Sequence, residues 1–485
     1  MAELVVASNR GPVQFEIDDD GNLSSGRGAG GMVTALGPAL AGQGGTWVAA
    51  AISDGDRVAA RRVARSGRLR TIELAQGPVR LRSLVFDPRE YQGYYNRVAN
   101  RTIWFLHHYL FDVPRHPRFD RGFRVAWQHY EGVNQAFAAA CDDEADHGGE
   151  VFVQDYHLAL VPAMLRQRRP DLRVAHFSHC PWAGPGYFLM LPGRAAGAIL
   201  EGMLGADLLG FLVPRWARNF LHCCLAAGFG VDFERHTVRA GDGRTVQVRT
   251  YPLGVDGDAL QERAAQPDVR AHGRAVTELA RGRRLIVRVD RLELSKNILR
   301  GLEGYGMFLE RNPRARGRVV HYALTYPSRR DLPEYQAYTA EVKALAESIN
   351  ERFRTRTWEP VLLDLRDNYP RALAAMAAAD VLIVNPVWDG MNLVAKEGPV
   401  ISRRDLVLIL SRNAGAADDL GPGALLVNPF DTAELAETIV TALELPPDER
   451  AKRAALLRDG ATALPPQNWF AAQREQLAGL AQTPG

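Results

Sequence analysis

Three short runs in the second half of the chain, "RLIVRVD" (284–290), "ADVLIVNP" (379–386) and "LVLILS" (406–411), carry apolar side chains at successive positions. A strand with one face in water alternates apolar and polar residues. A strand buried on both faces does not, so these runs predict the interior of a parallel sheet. Further strands are expected at 317–325, 359–363 and 424–427, with helical spacing at 335–352, 371–378 and 432–444. The first half repeats the pattern, with strands at 3–8, 46–51, 150–154, 173–179, 207–212 and 246–252 and helices at 129–141, 159–168 and 213–227. Strands separated by helices imply parallel sheets covered on both faces. Two series of five or six strands, meeting near "YPLGVDGDAL" (251–260), predict an α/β protein with two doubly wound, Rossmann-like units. The expected boundaries are 1–256 and 257–463, with a helix in 464–485 packing back across the join.

The charge balance narrows the function. Fifty-nine basic residues nearly cancel 56 acidic ones, a net charge of +3, which argues against a nucleic-acid-binding surface. No run of about 18 uncharged apolar residues is present, so no membrane span is expected. The beginning, "MAELVVASNRGP", enters a strand directly and does not resemble a signal peptide. Cys141, Cys180, Cys223 and Cys224 form no disulfide framework, which suits a reducing cytoplasm.

In doubly wound sheets ligands collect beyond the carboxyl ends of the strands, and two facing units would share one cleft. The residues just after each strand are therefore the candidates. "GRGAGG" (26–31) matches a dinucleotide fingerprint with Asp54 downstream, but a polar stretch separates it from the first strand, so NAD binding is not expected. What remains is a glycine-rich loop, including Gly30 and Gly31, whose backbone can approach a phosphate or sugar closely. Arg10 in "SNR" offers a planar fork for phosphate, against an ordinary surface arginine. Tyr95 and Trp104 suit a polar ligand pocket or plain core packing. Asp155 in "VQDYHL" is a hydroxyl acceptor or a helix cap. His179 in "HFSHCPW" lies near His176 and Cys180, but strand alternation would point the two histidines to opposite faces, against a metal site. Arg291 and Lys296 in "RVDRLELSKN" could clamp a diphosphate, and "YPSRRD" adds Arg329. "DGMNLVAKE" (389–397) places Asp389 and Glu397 at the two ends of a turn and a helix expected from near Met391, with Gly390 and the N–H groups of Met391, Asn392 and Leu393 exposed. Cations for phosphates and acids for hydroxyls, without a complete nucleophilic triad, describe a sugar-phosphate transferase better than a hydrolase or redox enzyme.

"SNR", "GAGGM", "DYHL", "RLELSKN" and "DGMNLVAKE" occur in the order found in the trehalose-6-phosphate synthases, glycosyltransferase family 20, and the chain resembles that family over nearly its whole length. The resemblance implies the GT-B architecture and transfer of glucose from a nucleotide-diphosphate glucose to glucose 6-phosphate, with retention, no catalytic metal and no cofactor. It implies acceptor binding by Arg10, Tyr95, Trp104, Asp155 and Arg329. It implies donor binding by Gly30, Gly31, His179, Arg291, Lys296, Asp389, Gly390, Met391, Asn392, Leu393, Val394 and Glu397. Asp155, His179, Arg291, Lys296 and Asp389 are then the catalytic set, with Glu397 on the ribose. The implied partners are the two substrates, with neither nucleic acid nor membrane, and a homo-oligomer is compatible.

The chain departs from the family pattern at Cys180, Trp182 and Ala183, which should alter the pocket floor, at Asn297 in place of the usual glycine, and at Trp388 in place of a basic residue. UDP, GDP and ADP therefore stay open as the donor's nucleotide. Related alternatives are a cyclitol-coupling pseudo-glycosyltransferase, similar to validoxylamine phosphate synthase, and a glucosylglycerol-phosphate synthase. A non-enzymatic sugar-phosphate sensor would be expected to have lost site residues.

Overall fold

The computed structural model describes residues 2–18, 20–27, 36–37, 40, 45–66, 69–74, 77–329 and 332–480. They form two compact units, Met1–Pro252 with Pro466–Gly485, and Leu253–Pro465.

The first unit is built on strands β1 (Ala2–Ser8), β4 (Thr46–Ala50), β5 (Arg70–Leu74), β6 (Gly77–Leu84), β7 (Ala145–Gln154), β8 (Arg173–Ser178), β9 (Leu208–Phe211), β10 (Gly230–Asp232), β11 (Thr237–Arg239) and β12 (Thr245–Thr250). Their order is β10-β11-β12-β9-β8-β7-β1-β4-β6-β5. Strands β12 through β6 in that order are parallel, while β5 at one edge and β11 and β10 at the other run antiparallel. This sheet exceeds the five or six strands expected. The additions are short or polar segments such as "TVR" and "RTIEL", which lack an apolar run. The "FEIDDDGNLSS" stretch also forms a separate hairpin, β2 (Val13–Ile17) with β3 (Leu23–Arg27).

The second unit has six parallel strands, β13 (Arg284–Leu292), β14 (Val319–Pro327), β15 (Val361–Asp364), β16 (Val381–Val384), β17 (Val407–Ser411) and β18 (Leu425–Val427). Their order is β15-β14-β13-β16-β17-β18. The unbroken apolar runs are fully interior: Ile286, Val381, Ile383, Val407 and Ile409 share one core with Tyr305, Phe308 and Ile439 from the covering helices.

Each sheet reverses its winding once. In the first unit β1 is followed outward by β4, and the chain later returns to place β7 on its other side. In the second, β13 is followed by β14 and β15, and β16 then pairs with the opposite edge of β13. Strand ends diverge at such points and leave room for a ligand. The residues leaving β1 and β7 are Asn9–Arg10 and Asp155, and those leaving β13 and β16 lead to Lys296 and Asp389.

The helix Pro466–Leu480 belongs to the first unit. Trp469 is fully buried, donates from Nε1 to Tyr251 O (3.1 Å) and meets Phe177 edge-on, while Phe470 lies 4.7 Å from Phe152, ring centre to ring centre. Arg474 adds an ion pair with the nearly buried Glu150 at 2.7 Å. Removing so large a buried ring costs about 3–5 kcal/mol. Trp469→Ala should therefore lower the stability of the first unit by that order in urea unfolding followed by circular dichroism.

Candidate active site

In the first unit the turn after β1 is fixed from inside. Ser8 Oγ accepts from Trp47 Nε1 and donates to Arg10 O, both at 2.7 Å. The Arg10 side chain is left exposed, with Nη2 donating to the Tyr95 hydroxyl at 3.3 Å. Tyr95 and Trp104 both lie on a π-helical segment, Gly93–Trp104, that the sequence reading did not foresee. Tyr95 stacks with His157 at 5.7 Å, His157 with Tyr156 at 4.0 Å, and Trp104 lies 5.8 Å from Tyr156. The two expected aromatics are thus joined through two residues of "DYHL".

Asp155 holds φ = 69°, a left-handed conformation that a non-glycine residue adopts only when its surroundings impose it. Its N–H donates to Phe177 O (2.7 Å), and its Oδ1 accepts from the His179 N–H (3.1 Å). Asp155 is therefore no side-chain cap for the turn that follows it. His179 has Nε2 at 2.9 Å from Gln154 Oε1. Burial, reinforced by His176, pushes its pKa down to about 3, so the ring is neutral. β8 ends at Ser178, so the strand alternation behind the expected opposite facing of His176 and His179 does not extend to His179. Among the described residues no three His, Cys, Asp or Glu side chains come together as a metal site.

Gly30 and Gly31 lie outside the described residues. Gly26, which opens that glycine motif, is in the β2–β3 hairpin, and Asp54 is an exposed partner of Arg57 at 2.7 Å. Cys180, Trp182 and Ala183 are interior, at most 2% exposed, with Trp182 packed on His107 and Phe188.

In the second unit Lys296 Nζ donates to Asp389 Oδ2 at 2.5 Å, with both side chains nearly buried. Asn392 Nδ2 donates to the same oxygen at 3.0 Å, and Asn392 holds φ = 76°. Asn297 sits at φ = 58°, ψ = 40°, which explains the usual glycine there: asparagine is the side chain that best tolerates this region. Its amide also donates to Asn385 O (3.0 Å) and Pro429 O (2.7 Å). The helix in "DGMNLVAKE" begins at Val394, three residues later than expected, because the left-handed Asn392 cannot be a helical residue. Among the described residues, no protein group accepts from the N–H groups of Met391, Asn392 and Leu393. Gly415 lets this turn close: a Cβ there would lie 1.9 Å from Gly390 O.

One residue in contact with these candidates escaped the sequence reading. Glu293 is fully buried, and its Oε1 accepts from Arg329 Nη1 (2.7 Å) and Ser328 Oγ (3.0 Å) and lies 3.0 Å from Arg291 Nη1. The signal was an acid flanked by leucines between the two cations of "RLELSK". Its burial was not visible in one dimension.

The family model for glycosyltransferase family 20 matches residues 2–478. The chain belongs to glycosyltransferase family 20. It is 36% identical over 491 aligned residues to the trehalose-6-phosphate synthase of Mycobacterium tuberculosis (strain CDC 1551 / Oshkosh), covering 99% of this chain and 95% of the relative. Among solved structures it is similar to an E. coli protein bound with UDP-2-fluoro glucose (TM-score 0.85, 27% identity, 99% of each chain). A Burkholderia xenovorans alpha,alpha-trehalose-phosphate synthase (UDP-forming) in complex with glucose-6-phosphate is similar too (TM-score 0.84, 28% identity, 98% of this chain and 100% of that one). This family 20 member is thus a glycosyltransferase with two doubly wound units, as in GT-B enzymes. No helix among its described residues is long and apolar enough to cross a membrane.

Glu397, on the first turn of the helix Val394–Ile401, has no side-chain partner among the described residues. Burial alone raises its pKa to about 7. The folded state therefore binds a proton between the unfolded carboxyl pKa, about 4.3, and 7, and stability falls as pH rises through that window. Glu397→Gln should be more stable than the parent at pH 8 by on the order of 1–3 kcal/mol, and so melt at a higher temperature, with no such gain at pH 4. Differential scanning calorimetry at the two pH values checks this.

Proposed function

We propose that this chain is a metal-independent, retaining glucosyltransferase that moves glucose from a nucleotide-diphosphate glucose to glucose 6-phosphate, giving trehalose 6-phosphate. The observation that carries the reading is the Lys296–Asp389 pair at the winding reversal of the second sheet, beside Arg291 and three N–H groups without a protein acceptor. It suits a ligand carrying both a diphosphate and a hydroxyl-rich ring. The names of the similar proteins support the same substrates, and UDP-glucose heads the list of donors. The four cysteines, all buried and unpaired, support placing the chain in a reducing cytoplasm.

In this mechanism the bond between the anomeric carbon and the leaving phosphate oxygen breaks on the face where the acceptor hydroxyl attacks. The leaving phosphate takes the proton of that hydroxyl, so no protein acid is required. Arg291 and Lys296 stabilise the negative charge that develops on the diphosphate, a large part of catalysis in such a site. Asp389 holds glucose hydroxyls, and its Oδ2 is already engaged by Lys296 and Asn392, which fits a positioning acid better than a nucleophile. His179, neutral down to about pH 3, serves as a hydrogen-bonding partner of the donor glucose. Asp155 receives acceptor hydroxyls, and Arg10, Tyr95, Trp104 and Arg329 receive the acceptor's phosphate. Gly30, Gly31, Gly390, Val394 and the Met391–Leu393 amides approach the donor, with Glu397 on its ribose.

Release of nucleotide from UDP-, GDP- and ADP-glucose, assayed with and without glucose 6-phosphate, tests the whole reading: turnover should need the acceptor and persist with a chelator present. Arg329→Ala should raise the KM for glucose 6-phosphate far more than that for the donor, since a lost charge-assisted contact costs about 1.5–3 kcal/mol. Equal weakening of both would place Arg329 elsewhere. Asp389→Asn should lower kcat as well as kcat/KM, because its contact strengthens as the glucose ring gains positive charge. Normal turnover in that variant, measured by steady-state kinetics, would remove Asp389 from the reacting centre.

A further inference from the structure

Two of the arginines proposed above to bind phosphate, Arg291 and Arg329, converge on the carboxylate of Glu293. It follows β13 directly, and the β13–β14 register pairs Leu292 with Pro327, which brings Glu293 level with Ser328 and Arg329. Its backbone is locked on both sides: the Glu293 N–H donates to Arg291 O (2.7 Å), and Glu293 O accepts from the Lys296 N–H (3.0 Å). The side chain is 0% exposed, and all its polar contacts run through Oε1, because Oε2 is buried without a partner among the described residues. Arg329 is fixed by the same oxygen and by the Tyr335 hydroxyl (3.1 Å), on a residue whose φ is 46°.

We propose that Glu293 is a positioning residue that seats the acceptor-phosphate arginine, Arg329, and the donor-diphosphate arginine, Arg291, on one shared carboxylate oxygen. The proposal rests on the roles given to those arginines above. An unpaired charge held this deep would be expelled or neutralised, so the carboxylate exists in its ionised form only because the cations surround it. Arg291, Arg329 and Lys296 hold its pKa down at about 2 against the opposing effect of burial, so it stays charged throughout the working pH range. Conversely, the two guanidinium groups would repel one another without it and lose the fixed geometry that a phosphate needs. Glu293 thus subtracts one charge from the cluster and supplies order in exchange. Organised binding of two substrates and crude attraction for any polyanion should then move in opposite directions when it is neutralised.

Glu293→Gln keeps the volume and removes the charge. Its kcat/KM should fall roughly tenfold or more for both the nucleotide sugar and glucose 6-phosphate, as expected for charge-assisted contacts. Inorganic diphosphate, titrated by calorimetry, should bind several-fold more tightly than to the parent. Glu293→Asp keeps the charge and shortens the reach: both substrates should weaken together while diphosphate affinity stays near the parental value. That variant carries the test if the Gln variant does not fold. Weakening of only one substrate, or looser diphosphate binding by Glu293→Gln, would overturn the proposal in favour of a merely structural ion pair. If the parent turns over no nucleotide sugar, the functional reading fails, and the diphosphate titrations still decide whether Glu293 orders the cluster.

Discussion

The short contact between Lys296 and Asp389 joins the segments leaving β13 and β16, the two strands at which the second sheet reverses its winding. Two charges withdrawn from water at that depth do not contribute much net stability, because desolvation offsets their attraction. What they provide is a fixed relative position for the two loops. Asn392 and Asn297 reinforce it from the left-handed region: Asn392 donates to Asp389 within its own turn, and Asn297 ties down the segments at Asn385 and Pro429. Losing one partner of the pair would leave the other charge buried and uncompensated, so both loops depend on it.

Backbone strain is also found at strand ends that carry candidate residues. Asp155, Asn297, Arg329 and Asn392 all have positive φ, and all four lie beyond the carboxyl ends of strands. Each such residue costs of order 1–3 kcal/mol and persists only where its neighbours over-determine it. The neighbours are visible. Phe177 O and the His179 N–H hold Asp155, while Glu293 and Tyr335 hold Arg329. The core that supports these loops packs aliphatic and aromatic side chains together, Tyr305, Phe308 and Trp358 among them in the second unit, so the sheets act as rigid mounts for strained, polar ends.

Charge is handled differently in the two units. In the first, the candidate residues are largely aromatic or neutral: the Tyr95–His157–Tyr156 stack and a His179 whose ring burial keeps uncharged. In the second they are ionic, with Glu293 held charged by surrounding cations and Glu397 pushed toward neutrality by burial without a partner. Two glutamates, Glu293 three residues from Lys296 and Glu397 next to Lys396, thus end with opposite shifts, which no composition argument anticipates.

Much of this was legible in one dimension. Unbroken apolar runs mark interior parallel strands because both faces must leave water, and the doubly wound class follows from their spacing. Candidates such as Arg10, Asp155, Lys296 and Asp389 follow from the rule that ligands gather at strand ends, and the order of short motifs points to the family. The polar edge strands and the β2–β3 hairpin were not legible, since their stability comes from pairing with a distant neighbour and not from their own composition. Nor was Glu293. The sequence by itself determined which residues leave the strands and what chemistry they carry. Only the tertiary structure decided which charges meet, because burial and distances of a few ångströms between segments far apart in the chain set the strength of every electrostatic interaction.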